Sequence, residues 1–232
     1  MKRAIFCLVL AAFVALPALA AAEVHGVYIA PRFLVGIQNS GQLSRTNIPS
    51  DAMDQYSQAV FGGALAVGYN FAPKFQLPIR AEIEYAMRSA SSKKKDVSWS
   101  EFGTVGSAEV RQTTNLHTLF LNAYFDINTG TAFTPYLGAG IGMAFNNTRI
   151  KDEGSWAGPW GNDSWSDSKN QWNTTFAWNV GAGLSYAFTE NVAADLGYRF
   201  IHTGYRSVSM DDRKMGSAPY IHEFYLGARF TF

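Results

Sequence analysis

From residue 27 onward, apolar side chains recur at every second position, a period of two that predicts strands rather than helices. In the first run Val27, Ile29, Phe33, Val35 and Ile37 alternate with Tyr28, Ala30, Arg32, Leu34 and Gly36. Phe61 to Phe71 follows, then Leu77 to Met87 set against Arg80, Glu82, Glu84 and Arg88, then Leu119 to Ile127 set against Phe120, Asn122, Tyr124 and Asp126. Pro135 to Phe145, Phe176 to Phe188, Val192 to Phe200 and Phe224 to Phe232 complete eight runs. Each matches the ~9–11 residues of a tilted membrane-spanning strand. Long polar connections near 39–58, 89–113, 146–173 and 205–219 alternate with short ones near 72–76, 128–133 and 189–191. This order predicts an all-β, eight-stranded antiparallel up-and-down transmembrane β-barrel with four long extracellular loops.

The faces distinguish a membrane barrel from a soluble one. The sixth run carries Phe176, Trp178 and Phe188 around Val180, Ala182 and Leu184 on one face, and only Gly, Ala, Ser and Asn on the other. A soluble barrel fills its interior with the large apolar residues. Aromatic residues at both ends of an aliphatic band are instead the profile of a lipid-facing wall. The small and charged face therefore lines the interior. By parity it carries Arg32, Arg80, Arg88, Arg199 and Arg229 together with Glu82, Glu84, Asp126, Asp195 and Glu223. Charges inside so narrow a barrel must pair or stay hydrated. They read as a salt-bridge plug, or alternatively as the lining of a narrow porin-like channel.

The start of the chain carries an address. Lys2 and Arg3 precede an apolar run from Ile5 to Leu16, followed by Pro17 and small residues at Ala18 and Ala20. This reads as a secretory signal peptide over 1–22, cleaved after residue 20 or 22, which leaves 23–232 as a single domain. Either cut removes Cys7, the one cysteine, and excludes a disulfide framework. Taking Lys2 and Arg3 from 19 basic residues leaves 17 against 18 acidic ones, a formal −1. That balance excludes a polybasic nucleic-acid binder. The 47% apolar content excludes a disordered chain.

Within this architecture the sequence resembles the opacity-protein family among the OmpA-like eight-stranded barrels. The segments that carry the resemblance are Leu119-Phe120-Leu121-Asn122-Ala123-Tyr124-Phe125-Asp126 and Phe133-Thr134-Pro135-Tyr136-Leu137-Gly138-Ala139-Gly140-Ile141-Gly142. Leu196-Gly197-Tyr198-Arg199-Phe200 and the terminal Phe232 also fit. The resemblance implies the outer membrane, and reads Phe232 as the signal by which the outer-membrane assembly machinery recognises its substrates. It implies no single activity, since the family includes adhesins and small porin-named barrels.

Candidate chemistry lies in the loops. Trp156, Trp160, Trp165 and Trp172 with neighbouring glycines offer an adaptable aromatic surface for a host or matrix ligand, or an anchor at the outer interface. Lys93, Lys94 and Lys95 suit lipopolysaccharide phosphates or an acidic glycan, or form a solvated loop tip. Asp163 and Asp167 lack the ordered ligand loop of a Ca²⁺ site. His25, His117, His202 and His222 form no ligand cluster in sequence. A lipid A deacylase needs a His, a Ser and an acid on the lipid-facing wall. Here His202 has Ser207 and Glu223 nearby, but lacks a His-x-Ser word, and Glu223 points inward by parity. No catalytic constellation, metal or cofactor is expected. The expected function is that of a non-enzymatic surface protein whose loops contact ligands, host molecules or lipopolysaccharide.

Overall fold

The computed structural model describes residues 26–39, 44–45, 57–101, 104–159, 161–204, 206–210, 213–217 and 219–232. The signal-peptide segment, His25 and Trp160 lie outside them. The strands are β1 (Val27–Asn39), β2 (Ser44–Arg45), β3 (Ser57–Asn70), β4 (Ile79–Arg88), β5 (Ser91–Glu101), β6 (Thr104–Asp126), β7 (Phe133–Gly158), β8 (Gly161–Ala187), β9 (Val192–His202), β10 (Arg206–Met210), β11 (Arg213–Ser217) and β12 (Tyr220–Thr231). One helical turn, α1 (Ala72–Phe75), occupies the short connection near 72–76. Pro73 suits its first turn, and Gln76 ends it in the left-handed region at φ 55°.

Eight strands close a ring in the order β1, β3, β4, β6, β7, β8, β9, β12, every pairing antiparallel. Closure depends on β4 skipping β5 and pairing with β6, from Ile79↔Phe125 to Met87↔His117. The seam joins the first strand to the last, from Tyr28↔Thr231 to Asn39↔Tyr220. Gly26 N–H donates to Phe232 O and Phe232 N–H donates to Val27 O, each at 2.9 Å. Large apolar side chains stand more than half exposed on every ring strand: Phe33, Phe61, Ile83, Leu121, Ile141, Phe176, Leu196 and Phe224. Only a hydrocarbon solvent makes such a wall stable.

The structure corrects all four expected loops, each of which carries strand. Residues 91–101 and 104–114 pair as β5 and the start of β6, from Ser91↔Thr114 to Glu101↔Thr104. Beyond the barrel, β6 pairs with β7 as far as Val105↔Ala157, and β7 with β8 as far as Gly158↔Gly161. Gly161 turns this last hairpin at φ +135°, a conformation that L side chains rarely adopt. β7 and β8 thus reach 26 and 27 residues, far beyond the span of a membrane strand. Their outer halves escape a hydrophobic-period reading because neither face meets lipid, so both faces are polar. The result is a four-stranded sheet, β5–β6–β7–β8, standing beyond the barrel. A smaller three-stranded sheet, β10–β11–β2, joins the first and last long connections.

Candidate functional site

The ten charged residues expected on the inner face all lie in the barrel wall facing the lumen, most of them fully buried. A chain of ion pairs climbs from the middle of the lumen towards the long-strand end. Arg32 Nη1 and Nη2 donate to the two oxygens of Glu82 at 2.5 and 2.8 Å, and Arg32 also donates to Glu84. Glu84 accepts from Arg199 Nη1 at 2.7 Å. Arg199 Nε donates to Glu223 at 2.8 Å, and Glu223 accepts from Arg88 Nε at 2.6 Å. At the short-turn end, Arg80 grips Asp126 with Nε and Nη2 at 2.7 and 2.8 Å. There Arg229 donates to Ser185 at 2.7 Å and stands 3.4 Å from Asp195. The forked contacts offset burial that would otherwise make these charges very costly, whereas the Asp195 oxygens accept no hydrogen bond among the described residues and rest on the Arg229 charge.

Sequence reading understated the tyrosines. Tyr124 and Tyr28 hydroxyls donate to Glu82 at 2.8 and 3.0 Å. The Arg80 guanidinium lies 5.0 Å from the ring centres of both Tyr124 and Tyr136, and Arg32 lies 5.1 Å from that of Tyr225. Inward glycines make room for these rings. A Cβ on Gly197 would lie 2.3 Å from Tyr225, and one on Gly183 would lie 2.3 Å from Tyr136. The alternation of Tyr and Gly on the inner face was visible in the sequence. Their contacts depend on the register between strands, which one sequence does not print.

Above the ion pairs, at the long-strand end, Leu116, Phe120, Ala144, Ala177, Ile201 and Ile221 form a buried apolar cluster inside the barrel. A salt-bridged middle under an apolar cap fills the interior.

The outer sheet separates the loop residues by face, because directly paired residues on neighbouring strands share one. Trp156 and Trp165 share parity with the lumen-facing residues of their strands, whereas Trp172 shares parity with the lipid-facing Trp178 and Phe176. Trp165 packs over Gly154, and its Nε1–H donates to Asp152 at 3.3 Å. Lys94 is exposed and pairs with Glu109 at 3.2 Å, while the side chains of Lys93 and Lys95 lie outside the described residues. Asp163 and Asp167 each accept the following residue's backbone N–H. Four residues along one strand separates them by roughly 13 Å, too far to share an ion.

The register instead assembles a cationic row that sequence reading missed. Lys94 faces Arg111, and Arg111 faces Lys151. Arg149 lies one step nearer the barrel on the same face, opposite Thr113 and Asn170. Continuing the period of two from Leu119 and Met143 outward through the polar segments would have found it. Glu109 accepts from Arg111 at 3.0 Å and stands beside Lys94, and these cations hold its carboxyl below the usual carboxylate range.

The histidines take separate places on the outer wall. His202 stacks on Trp178 and pairs across the seventh and eighth ring strands with Tyr220. His222 Nδ1 lies 2.7 Å from the Tyr198 hydroxyl, and His117 Nδ1 lies 3.1 Å from that of Tyr85. Glu223, held by Arg88 and Arg199 inside the barrel, faces away from His202. No group of three or more potential metal ligands occurs among the described residues.

Comparison with known proteins agrees with this architecture. The chain is 31% identical over 191 residues to outer membrane protein PagN of Salmonella typhimurium, covering 80% of this chain and 77% of that one. Among solved structures, it is similar to Neisserial surface protein A, with a TM-score of 0.48 and 19% identity over 89% of this chain and 97% of that one. It is also similar to OprG of Pseudomonas aeruginosa, with a TM-score of 0.47 and 15% identity over 89% and 96% of the two chains. Residues 6–232 match the family model of the outer membrane protein beta-barrel domain, and the chain is a member of that family, an outer-membrane β-barrel.

Proposed function

We propose that this protein is a non-enzymatic recognition protein of the cell surface, whose outer sheet and loops contact host or matrix ligands. The observation that carries the reading is the β5–β8 sheet beyond the barrel. A barrel needs only ~9–11 residues per strand to cross the membrane, yet β7 and β8 continue for many more with polar residues on both faces. Packing does not account for that length. An ordered two-faced platform bearing Trp156, Trp165 and charges of both signs suits contact with a macromolecule. In this reading Phe232 addresses the chain to the assembly machinery.

The test shortens the β7–β8 ribbon. Residues 152–167 are replaced by Asn-Gly, so that Lys151 and Ser168 remain partners across a two-residue turn. Binding of whole cells to a panel of glycans and matrix proteins is then compared with the full-length chain. Loss of binding with normal surface display supports the reading, and unchanged binding removes the ribbon from it.

The rival reading is a narrow channel. The apolar cap and the chain of ion pairs favour a closed lumen, so planar bilayers should show no conductance steps. Steps that disappear on Arg80→Ala or Glu82→Ala would overturn the plugged barrel. The enzymatic rival, a lipid A deacylase, predicts altered acylation of lipid A in expressing cells, which mass spectrometry reads directly.

A further inference from the structure

We propose that the outward face of the β6–β7–β8 ribbon binds the phosphate groups of the lipopolysaccharide surrounding the barrel. This site is separate from the distal surface assigned to ligand recognition. It rests on the membrane position of the barrel and not on the adhesion reading.

The geometry comes from parity and register. Arg111 shares its face with Leu119 and Leu121, and Arg149 and Lys151 share theirs with Ile141 and Met143, all four of these apolar residues exposed on the lipid-facing wall. The cations therefore project sideways over the neighbouring lipids, not over the mouth of the barrel. Arg111 and Lys151 are direct cross-strand partners, and Arg149 follows one step towards the membrane. Together with Thr113, Asn147 and Asn170 they line a groove of about 410 Å³. No carboxylate lines it. The acids lie one step further from the membrane, where Glu109 and Glu153 face each other. Charge is thus graded along the ribbon, with cations and amides on the membrane side and carboxylates beyond.

Two further features identify the occupant. Trp172 is exposed on the same outward face, opposite Asn147 and one step nearer the membrane than the Arg149–Asn170 pair. A tryptophan in that place marks the membrane–water interface. One step of two residues is about 7 Å along a strand, which sets Arg149 just above the interface, level with sugar and phosphate groups. Secondly, the cations are unequally engaged. Arg111 binds Glu109 at 3.0 Å and Lys151 stands 3.8 Å from Glu153, whereas Arg149 has no acidic partner among the described residues. A guanidinium with free donors beside two more cations is a fork for a phosphate, which accepts paired hydrogen bonds.

The experiment uses the folded full chain in neutral phosphatidylcholine nanodiscs. The probes are purified lipopolysaccharide with a phosphorylated inner core, the same material stripped of phosphate, and inorganic phosphate. Tryptophan fluorescence and native mass spectrometry report binding. The wild-type protein should prefer the phosphorylated form, and Arg149→Gln should weaken that binding about tenfold, as expected for one charge-assisted contact. Arg149→Lys should retain part of it, and Arg111→Gln with Lys151→Gln should weaken it further and flatten its salt dependence. Unchanged affinity in Arg149→Gln, equal binding of the phosphate-free form, or displacement by millimolar inorganic phosphate would each overturn the proposal. A heat-dependent gel shift verifies that every variant is folded. The ribbon-shortened protein keeps all three cations, so it should lose ligand binding and keep lipopolysaccharide binding. Failure of one reading is thereby visible without the other.

Discussion

Arg88 and Glu223 are 135 residues apart in the chain, yet Arg88 Nε donates to Glu223 Oε2 at 2.6 Å with both side chains fully buried. The contact crosses the lumen and ties β4 to β12, which are not neighbours in the ring. It therefore braces the barrel through its interior, between strands three places apart in the ring, where no backbone ladder reaches.

Glu223→Ala leaves two guanidiniums, Arg88 and Arg199, without their shared carboxylate. Removing one partner of a buried pair costs about 3–5 kcal/mol. Urea unfolding in lipid vesicles should show a loss of that size. The double change Arg88→Met with Glu223→Leu should cost much less than the sum of the single changes, because neither charge is then left alone.

The Tyr225 ring occupies the space where a Gly197 side chain would stand. Gly197→Ala must displace the ring, whose centre lies 5.1 and 5.4 Å from the Arg32 and Arg199 guanidiniums. Overpacking of this kind costs about 1–3 kcal/mol. Truncation at Tyr225 in the same chain should recover part of the loss, measured by the same unfolding curves.

Ile141 stands exposed at mid-strand on the lipid-facing wall. Ile141→Arg should destabilise the folded barrel by roughly 2–4 kcal/mol in bilayers, and less towards the interfaces. A neutral effect in vesicles would mean that this wall does not meet hydrocarbon.

Glu109 titrates below its ordinary value of 4.5 because Arg111 and Lys94 favour its ionised form. A lowered carboxyl stabilises the folded pairing above the ordinary carboxylate range, and that contribution fades as the pH falls through the folded value. NMR titration of the Glu109 carboxyl carbon should place its midpoint below 4.5, and Arg111→Ala should raise it.

The barrel was legible in the sequence because lipid and lumen impose opposite demands on alternate residues. Phe176 and Ala177 record the two solvents side by side. The same logic explains what was missed. Residues such as Ser164 to Asn170 meet water on both faces, so their strand carries no hydrophobic period. The Tyr–Gly fits and the Arg111–Lys151 pair depend on which residues of separate strands lie level. That register follows from the ladder and its turns, such as Gly158 to Gly161, rather than from composition along one strand.

The seam between β1 and β12 has a consequence for assembly. β1 can pair with β3 early in folding, but its other edge stays unpaired until residues 220–231 dock against it. Every nascent barrel therefore passes through a stage with two raw sheet edges, one on β1 and one on β9, that invite pairing with other chains. A chain cut short before Tyr220 never leaves that stage. Such a fragment, although it keeps seven of the eight ring strands, should join copies of itself into aggregates rather than form a smaller barrel.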